Sequence, residues 1–353
     1  MTALSLLHRL LQAALALWAL VSLVFLLCHR DPTGPAELLL PDQTELSGSL
    51  AEQSAAHTAA LGVIRARLEL QLPVFYVGRA AGSSSGAWRW HGPANQYHHW
   101  LRALLHGDLG TSLRSGRPVA EQLGAALRCT LPLTAAALGL VVGAALLLGQ
   151  QLAAPRRWWH VPVRAALVGV HSVPLFVVAL GLLLLFANPD MLAWFPVYGL
   201  ATEEDTMGWA RLGNQVAHLV LPVASLVLVA LPDLTLQLEA ALRQERRTDY
   251  ATTARAKGLG EAQVIRHHAL PNALLPLLTQ LTDLLPALVA GAVVVEVVYA
   301  LPGMGRLLAE AAALRDYPVL IGGVLVTGAA RLGALLLADI LYSWADPRIR
   351  WQN

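Results

Sequence analysis

"DYATTARAKGLGEAQVIRHHALPNALL" (249–275) interrupts an otherwise greasy chain, and its reading decides the fold. The 353 residues are 56% hydrophobic and only 14% charged, with a mean hydropathy of +0.53. The only lysine, Lys257, falls in this stretch, near Arg255 and Arg266. Thr248 or Asp249 is suited to N-cap a short helix, and Gly258 to sit just past its end. "EAQVIRHHAL" reads as a second helix that should stop near Pro271. Ala251, Thr252 and Ala254 leave the first helix a nearly bare surface that a partner's groove could accept, with Arg255 and Lys257 at the rim.

Outward from this stretch the chain is apolar on both sides. A helix needs roughly 20 apolar residues to cross the hydrocarbon. Six stretches meet that length, at 6–28, 131–153, 164–187, 216–238, 275–300 and 318–342. Lipid offers no partner for an unpaired backbone group, so each must be helical. The expected fold is all-α, a polytopic membrane protein with six transmembrane helices kinked at Pro174, Pro222, Pro232 and Pro286. It divides into a first span (1–28), an external segment (29–130) and a five-helix core (131–353) that carries the polar loop 239–274.

Basic residues crowd one side of this layout. Arg9, Arg156, Arg157, Arg164, Arg348, Arg350 and six residues of the 239–274 loop lie there, whereas the opposite short loops hold Arg211, Arg306 and Arg315. The positive-inside rule then expects both termini and the loop in the cytoplasm. The external segment is too long for that rule to govern. A cleaved signal peptide is disfavoured, because the run Leu10–Cys28 is long for one and no small-residue cleavage site follows. Cys28 and Cys129 both fall near the outer face, where a disulfide is permitted but buried thiols are the commoner outcome.

The external segment reads as an amphipathic stretch over 40–70, a Gly/Ser loop over 78–96 carrying Trp88 and Trp90, and a short interfacial helix over 97–105 with Trp100. His91, His98 and His99 suit a polar rim better than a metal site, since adjacent helical residues point apart. Within the spans, Asp233, Asp283, Glu296, Arg331 and Asp339 are candidates for function or pairing. Asp283 and Arg331 lie at similar depth, roughly 12 and 15 Å from the inner ends of their spans, so an ion pair is expected. No serine–lysine or paired-aspartate spacing suggests an intramembrane enzyme.

Several motifs together carry a resemblance. Thr252-Thr253-Ala254, Gly258, His268, Leu270 and Pro271 resemble the cytoplasmic "EAA" motif of ABC importer permeases, with Thr for the leading Glu and Ala and His268 for the Ile. "GDLGTSLRSGRPVAEQL" (107–123), "HSVPLFVVAL" (171–180), "VVVEVVYALPGMGRLLAEAAALRDYPVL" (293–320) and "ADPRIR" (345–350) are similar, in the same order, to the dipeptide/oligopeptide/nickel branch. Leu335, Arg331 and an insertion at 75–95 depart from that pattern.

The resemblance implies an inner-membrane permease subunit, half of a translocation pathway for a peptide delivered by a binding protein. Nickel or a metal chelate is the alternative cargo. It implies a second permease, two ATP-binding subunits and a solute-binding protein as partners, with ATP and Mg bound on the ATPases and no cofactor on this chain. Tyr250, Thr252, Thr253, Ala254, Arg255, Lys257, Gly258, Leu270 and Pro271 would form the ATPase-coupling element, and Trp88 and Trp90 a docking point for the binding protein. The residues agree on one point directly. A phosphate-binding loop needs Gly-Lys-Ser/Thr, and the one lysine precedes Gly258 and Leu259. The rival reading is a stand-alone secondary transporter working through the intramembrane acids.

Overall fold

The computed structural model describes residues 3–29, 58–59, 61–62, 71–79, 88–155, 157–196, 199 and 209–345. Most of the 40–70 stretch, the tail basic residues Arg348 and Arg350, and the side chains of Arg156, Arg211 and Asp339 lie outside the described residues. The described chain is helical apart from one two-stranded hairpin. Five helices are long and apolar enough to cross a membrane, or six if one sharply bent pair counts as a span.

Helix α1 (Ala3–Cys28) is the first of these. Its outward Leu11, Leu15, Leu23 and Leu27 are exposed in the isolated chain, as lipid-facing residues should be. Strands β1 (Val77–Arg79) and β2 (Trp88–Trp90) pair antiparallel, with Val77 opposite Trp90. The Gly/Ser loop expected over 78–96 is therefore flanked by strand. The alternation of Trp88-Arg89-Trp90 is a β pattern that the surrounding glycines and serines obscured.

Helix α2 (Gln96–Leu105) begins at Asn95, whose side chain accepts from the His98 amide at 2.8 Å. Trp100 is turned toward its own protein, with its ring 5.0 Å from Phe25 and 5.6 Å from Tyr97. Val21, Phe25, Tyr97 and Ile321 form the core of this unit, which lies within Leu7–Gly124 and Leu307–Ala329.

The second unit is centred on Ala125–Arg306. Helix α3 (Val119–Ala153) begins twelve positions before the apolar stretch that announced it. Its amphipathic first turns, with Leu123 and Ala126 buried and Arg128 exposed, are not a hydrophobic run. The third expected span is broken. Helix α4 (His160–His171) and helix α5 (Leu175–Phe186) bend by 107° at Pro174, which holds the chain extended at ψ 143°. Pro222 and Pro232, by contrast, lie inside continuous helix α6 (Trp209–Glu245). The difference lies just before the prolines, because α4 ends at its C-cap Ser172 ahead of Pro174 whereas the residues before Pro222 and Pro232 stay within the helix.

Helix α7 (Asp249–Ala256) and helix α8 (Glu261–Gln263) follow. The second helix does not stop at Pro271. It widens into a π-helical segment over Val264–Ala269 and runs on as helix α9 (Leu270–Val298). Proline lacks an N–H and its ring displaces the carbonyl four residues back, and a π turn absorbs that mismatch without ending the helix. Helix α10 (Met304–Ala313) and helix α11 (Tyr317–Ala345) complete the described chain.

Two apolar layers hold the second unit together. Leu133 and Ala137 of α3, Ala179 of α5, Leu226 of α6 and Ala292 and Val295 of α9 form one. Ala145 and Ala153, Leu238 and Leu242, Ala269 and Ala273 form the other. Lipid tails are as apolar as leucine, so close packing of small residues does the work here. A Cβ added at Gly149 would meet the Leu238 side chain at 2.9 Å, which shows how nearly α3 and α6 touch.

Candidate coupling loop and buried anchors

Helix α7 carries most of the residues singled out in the sequence. Thr248 precedes it in extended geometry, and Gly258 follows it at φ +85°. Only glycine adopts that backbone without cost, so the sharp reversal between α7 and α8 depends on Gly258. Leu259 then folds back, and Ala251, Ala254, Val264 and Leu259 make a small core of their own. This corrects the expected bare face. Ala251 and Ala254 are small because α8 and the π segment pack on them. The surface left outward consists of Tyr250, Thr252, Thr253, Ala256 and Lys257. Pro271 is exposed on α9, whereas Leu270 is half-buried.

A charge network pins the loop. Glu261 accepts from the Arg255 Nε at 2.7 Å and from Arg246 at 2.9 Å. Arg255 also donates to the Arg246 carbonyl at 2.9 Å, so one carboxylate ties the end of α6 to α7 and α8. Asn272 donates to the Tyr250 hydroxyl at 2.9 Å, and that hydroxyl donates to Glu245. The loop is thus a folded element with a defined outward face.

The hydrogen bond from Arg255 holds the Glu261 carboxyl below the ordinary carboxylate range, with the Arg246 charge helping and burial opposing. A depressed folded value stabilises the loop fully above the ordinary value of 4.5 and loses that contribution as pH falls through the lowered one. Amide exchange across 249–263 should therefore stay protected at pH 5 and open only under stronger acid. Glu261→Gln should already be open at pH 7, and equal protection in both proteins would contradict the pinning.

Elsewhere the intramembrane candidates separate. Asp283 and Arg331 are each exposed on their helices, and no ion pair joins them among the described residues. Rise per residue fixes depth along a span but leaves rotation about its axis free, and Asp283 is turned toward α6. There it lines a cavity of about 230 Å³ with Asp233 and Gln280. Asp233 lies 3.2 Å from His171. Trp88 and Trp90 are 73% and 69% exposed on the hairpin, and Trp90 stacks on Tyr76 with centroids 5.7 Å apart. His98 bonds the Tyr76 hydroxyl at 2.9 Å. Cys28 and Cys129 are free thiols.

Two buried acids act as anchors: Glu296, a candidate in the sequence whose partners were not legible there, and Asp316, which the sequence did not single out. Glu296 is fully buried, accepting from Thr130 at 2.6 Å and from the Gly305 and Arg306 amides at 2.7 and 3.3 Å. Its carboxylate thus caps α10, the helix opened by "LPGMGR". Asp316 is buried too and accepts from the Ser112 hydroxyl at 2.5 Å and the Leu113 amide at 3.1 Å. It joins "GDLGTS" to "RDYP". The only signal was that each acid sits in a quoted motif without an evident partner nearby in sequence.

Long apolar helices joined by a short, folded polar element define a polytopic membrane protein. Residues 138–351 match the family described as "Binding-protein-dependent transport system inner membrane component". The chain is 30% identical to the dipeptide transport system permease protein DppB of Alkalihalophilus pseudofirmus, over 98% of both chains. It is 32% identical to the probable D,D-dipeptide transport system permease protein DdpB of Escherichia coli K12, over 94% of this chain and 95% of that one. An inward-facing structure of the MetNI methionine ABC transporter shares the fold, with a TM-score of 0.51 at 19% identity over 64% of this chain and 97% of the other.

The chain belongs to this family of binding-protein-dependent inner-membrane transport components, and is a multi-pass protein of the bacterial inner membrane. The resemblance to ABC importer permeases of the peptide branch is borne out.

Proposed function

We propose that this chain forms half of the transmembrane pathway of an ATP-driven importer for dipeptides or oligopeptides. Cargo would arrive from a solute-binding protein, and the work of ATP hydrolysis from partner subunits that bind ATP and Mg. The cargo class is supported by relatives named for dipeptide transport. The crowding of arginines around 239–274 supports a cytoplasmic loop and cytoplasmic termini. The exposed tryptophans of β2 support the hairpin as a contact for the binding protein, since large aromatics commonly anchor such interfaces.

One observation carries the coupling role. Helix α7 presents Tyr250, Thr252, Thr253 and Lys257 outward on a loop pinned by Glu261, so a push on that face is not absorbed by loose chain.

The experiment uses the assembled complex with Cys28 and Cys129 replaced by alanine. Thr253→Cys should crosslink to the ATPase subunits, in a yield that changes between nucleotide-free and ATP-bound states. Ala254→Cys, buried against Val264, should not. Folded protein that crosslinks from neither position in either state would move the assignment to a stand-alone transporter working through Asp233 and Asp283.

A further inference from the structure

At the end of α3 lies a cavity of about 330 Å³, lined by the turn at 153–155 and by Arg243, Arg246, Arg247 and Arg255. Four guanidiniums around one cavity need an account, because like charges brought together repel unless something negative faces them. Part of the account is internal. Glu239 accepts from Arg243 at 2.8 Å and from Arg164, and Glu261 takes Arg246 and Arg255. The last carbonyls of α3 take two more contacts, Leu152 from Arg243 at 3.4 Å and Ala153 from Arg246. That leaves five arginines around two carboxylates. Arg247 is exposed and has no side-chain partner among the described residues.

The position of the cavity identifies what faces it. Spans α3 and α6 end together here, at Ala153 and Glu245, so the cavity lies at the level where hydrocarbon gives way to headgroups. Trp158, 87% exposed in the following turn, is the residue type that marks that level. A basic pocket between span ends at a membrane surface has the chemistry for an anionic phosphate, with guanidinium forks matching its oxygens.

We propose that this cavity binds the phosphate of an anionic phospholipid headgroup from the adjoining leaflet. Arg247 and Arg243 are the groups that reach it, while Arg246 and Arg255 hold the walls. The coupling loop would then be seated on lipid on one side, with its outward face at Tyr250 and Thr253 left free.

The test is native mass spectrometry of the full chain, in its complex, released from membranes containing phosphatidylglycerol and cardiolipin. At least one anionic lipid should be retained by the wild type and by Arg266→Gln, whose arginine lies outside the cavity. Retention should fall about 25-fold in R243Q/R247Q, since each basic group at an anionic surface contributes about fivefold. The double variant keeps the Glu261 network, and an unchanged elution profile would show that it is folded. Equal retention in wild type and double variant overturns the proposal. So does binding of inorganic phosphate at this site with no lipid retained, which would make the source a free anion. Arginines found buried against an acidic segment of a partner subunit, with no lipid present, also overturn it.

Discussion

Replacing Glu296 with alanine is expected to cost this protein at least about 2 kcal/mol and to leave little folded material in the membrane. The carboxylate accepts from the Gly305 amide and the Thr130 hydroxyl, both away from water, and from the partly buried Arg306 amide. An unpaired buried donor costs about 1–3 kcal/mol, and the substitution orphans two backbone amides at once. Thr130 is less exposed to the loss, because its hydroxyl also reaches the Ala126 carbonyl at 3.3 Å. The start of α10 further loses a negative group from its positive end. Glu296→Gln should be far milder, since one amide oxygen still accepts from the backbone and the amide N–H₂ can donate to Thr130. Thermal midpoints in detergent would decide the matter. An alanine variant melting with the wild type would remove Glu296 from the fold's anchors.

The second large effect comes from adding atoms at the same place. A Cβ on Gly305 would lie 2.4 Å from the Cα of Val293, and the atom in the way is backbone of α9. Side chains yield to such crowding by changing rotamer, but a packed helix has no such freedom. Gly305→Val should therefore give no properly folded chain. Gly303→Ala should fail by another route, because its methyl would fall on the Glu296 carboxylate and evict the cap. Gly139→Ala supplies the contrast. Its methyl meets nothing within 4 Å, and alanine is the better helix former, so accumulation should match or exceed the wild type. Folded Gly305→Val at normal levels would mean that α9 and the start of α10 are not packed as described.

What the sequence displayed was what local chemistry dictates. The short helix from Asp249, its glycine exit at Gly258 and the positions of most spans follow from capping, backbone freedom and hydrophobic length. What it concealed was rotation and distant partnership. Ala251 and Ala254 read equally well as an outward or an inward face until Val264 and Leu259 are known to fold onto them. Asp283 has a legible depth but no legible azimuth, so pairing it with Arg331 was a choice that the packing of α9 on α6 does not support. Glu296 finds Thr130 at a separation of 166 residues, and Asp316 finds Ser112 at 204, which no local pattern encodes. Pro174 and Pro271 look alike in sequence. One breaks a span and the other is threaded through by a π turn, because the turns just before them differ.

That uninterrupted passage at Pro271 has a mechanical meaning. From Glu261 to Val298 the backbone runs as one helical rod, 29 residues of it in α9 alone or about 44 Å at 1.5 Å per residue. With no break in the helix between the polar end and the far end, a few degrees of tilt imposed near Val264 would become a displacement of several ångströms at Glu296. The wider π turn, and Pro276 and Pro286 inside α9, are the places where the rod could flex or twist. Their stiffness would set how much of a small movement at the loop arrives at the other end.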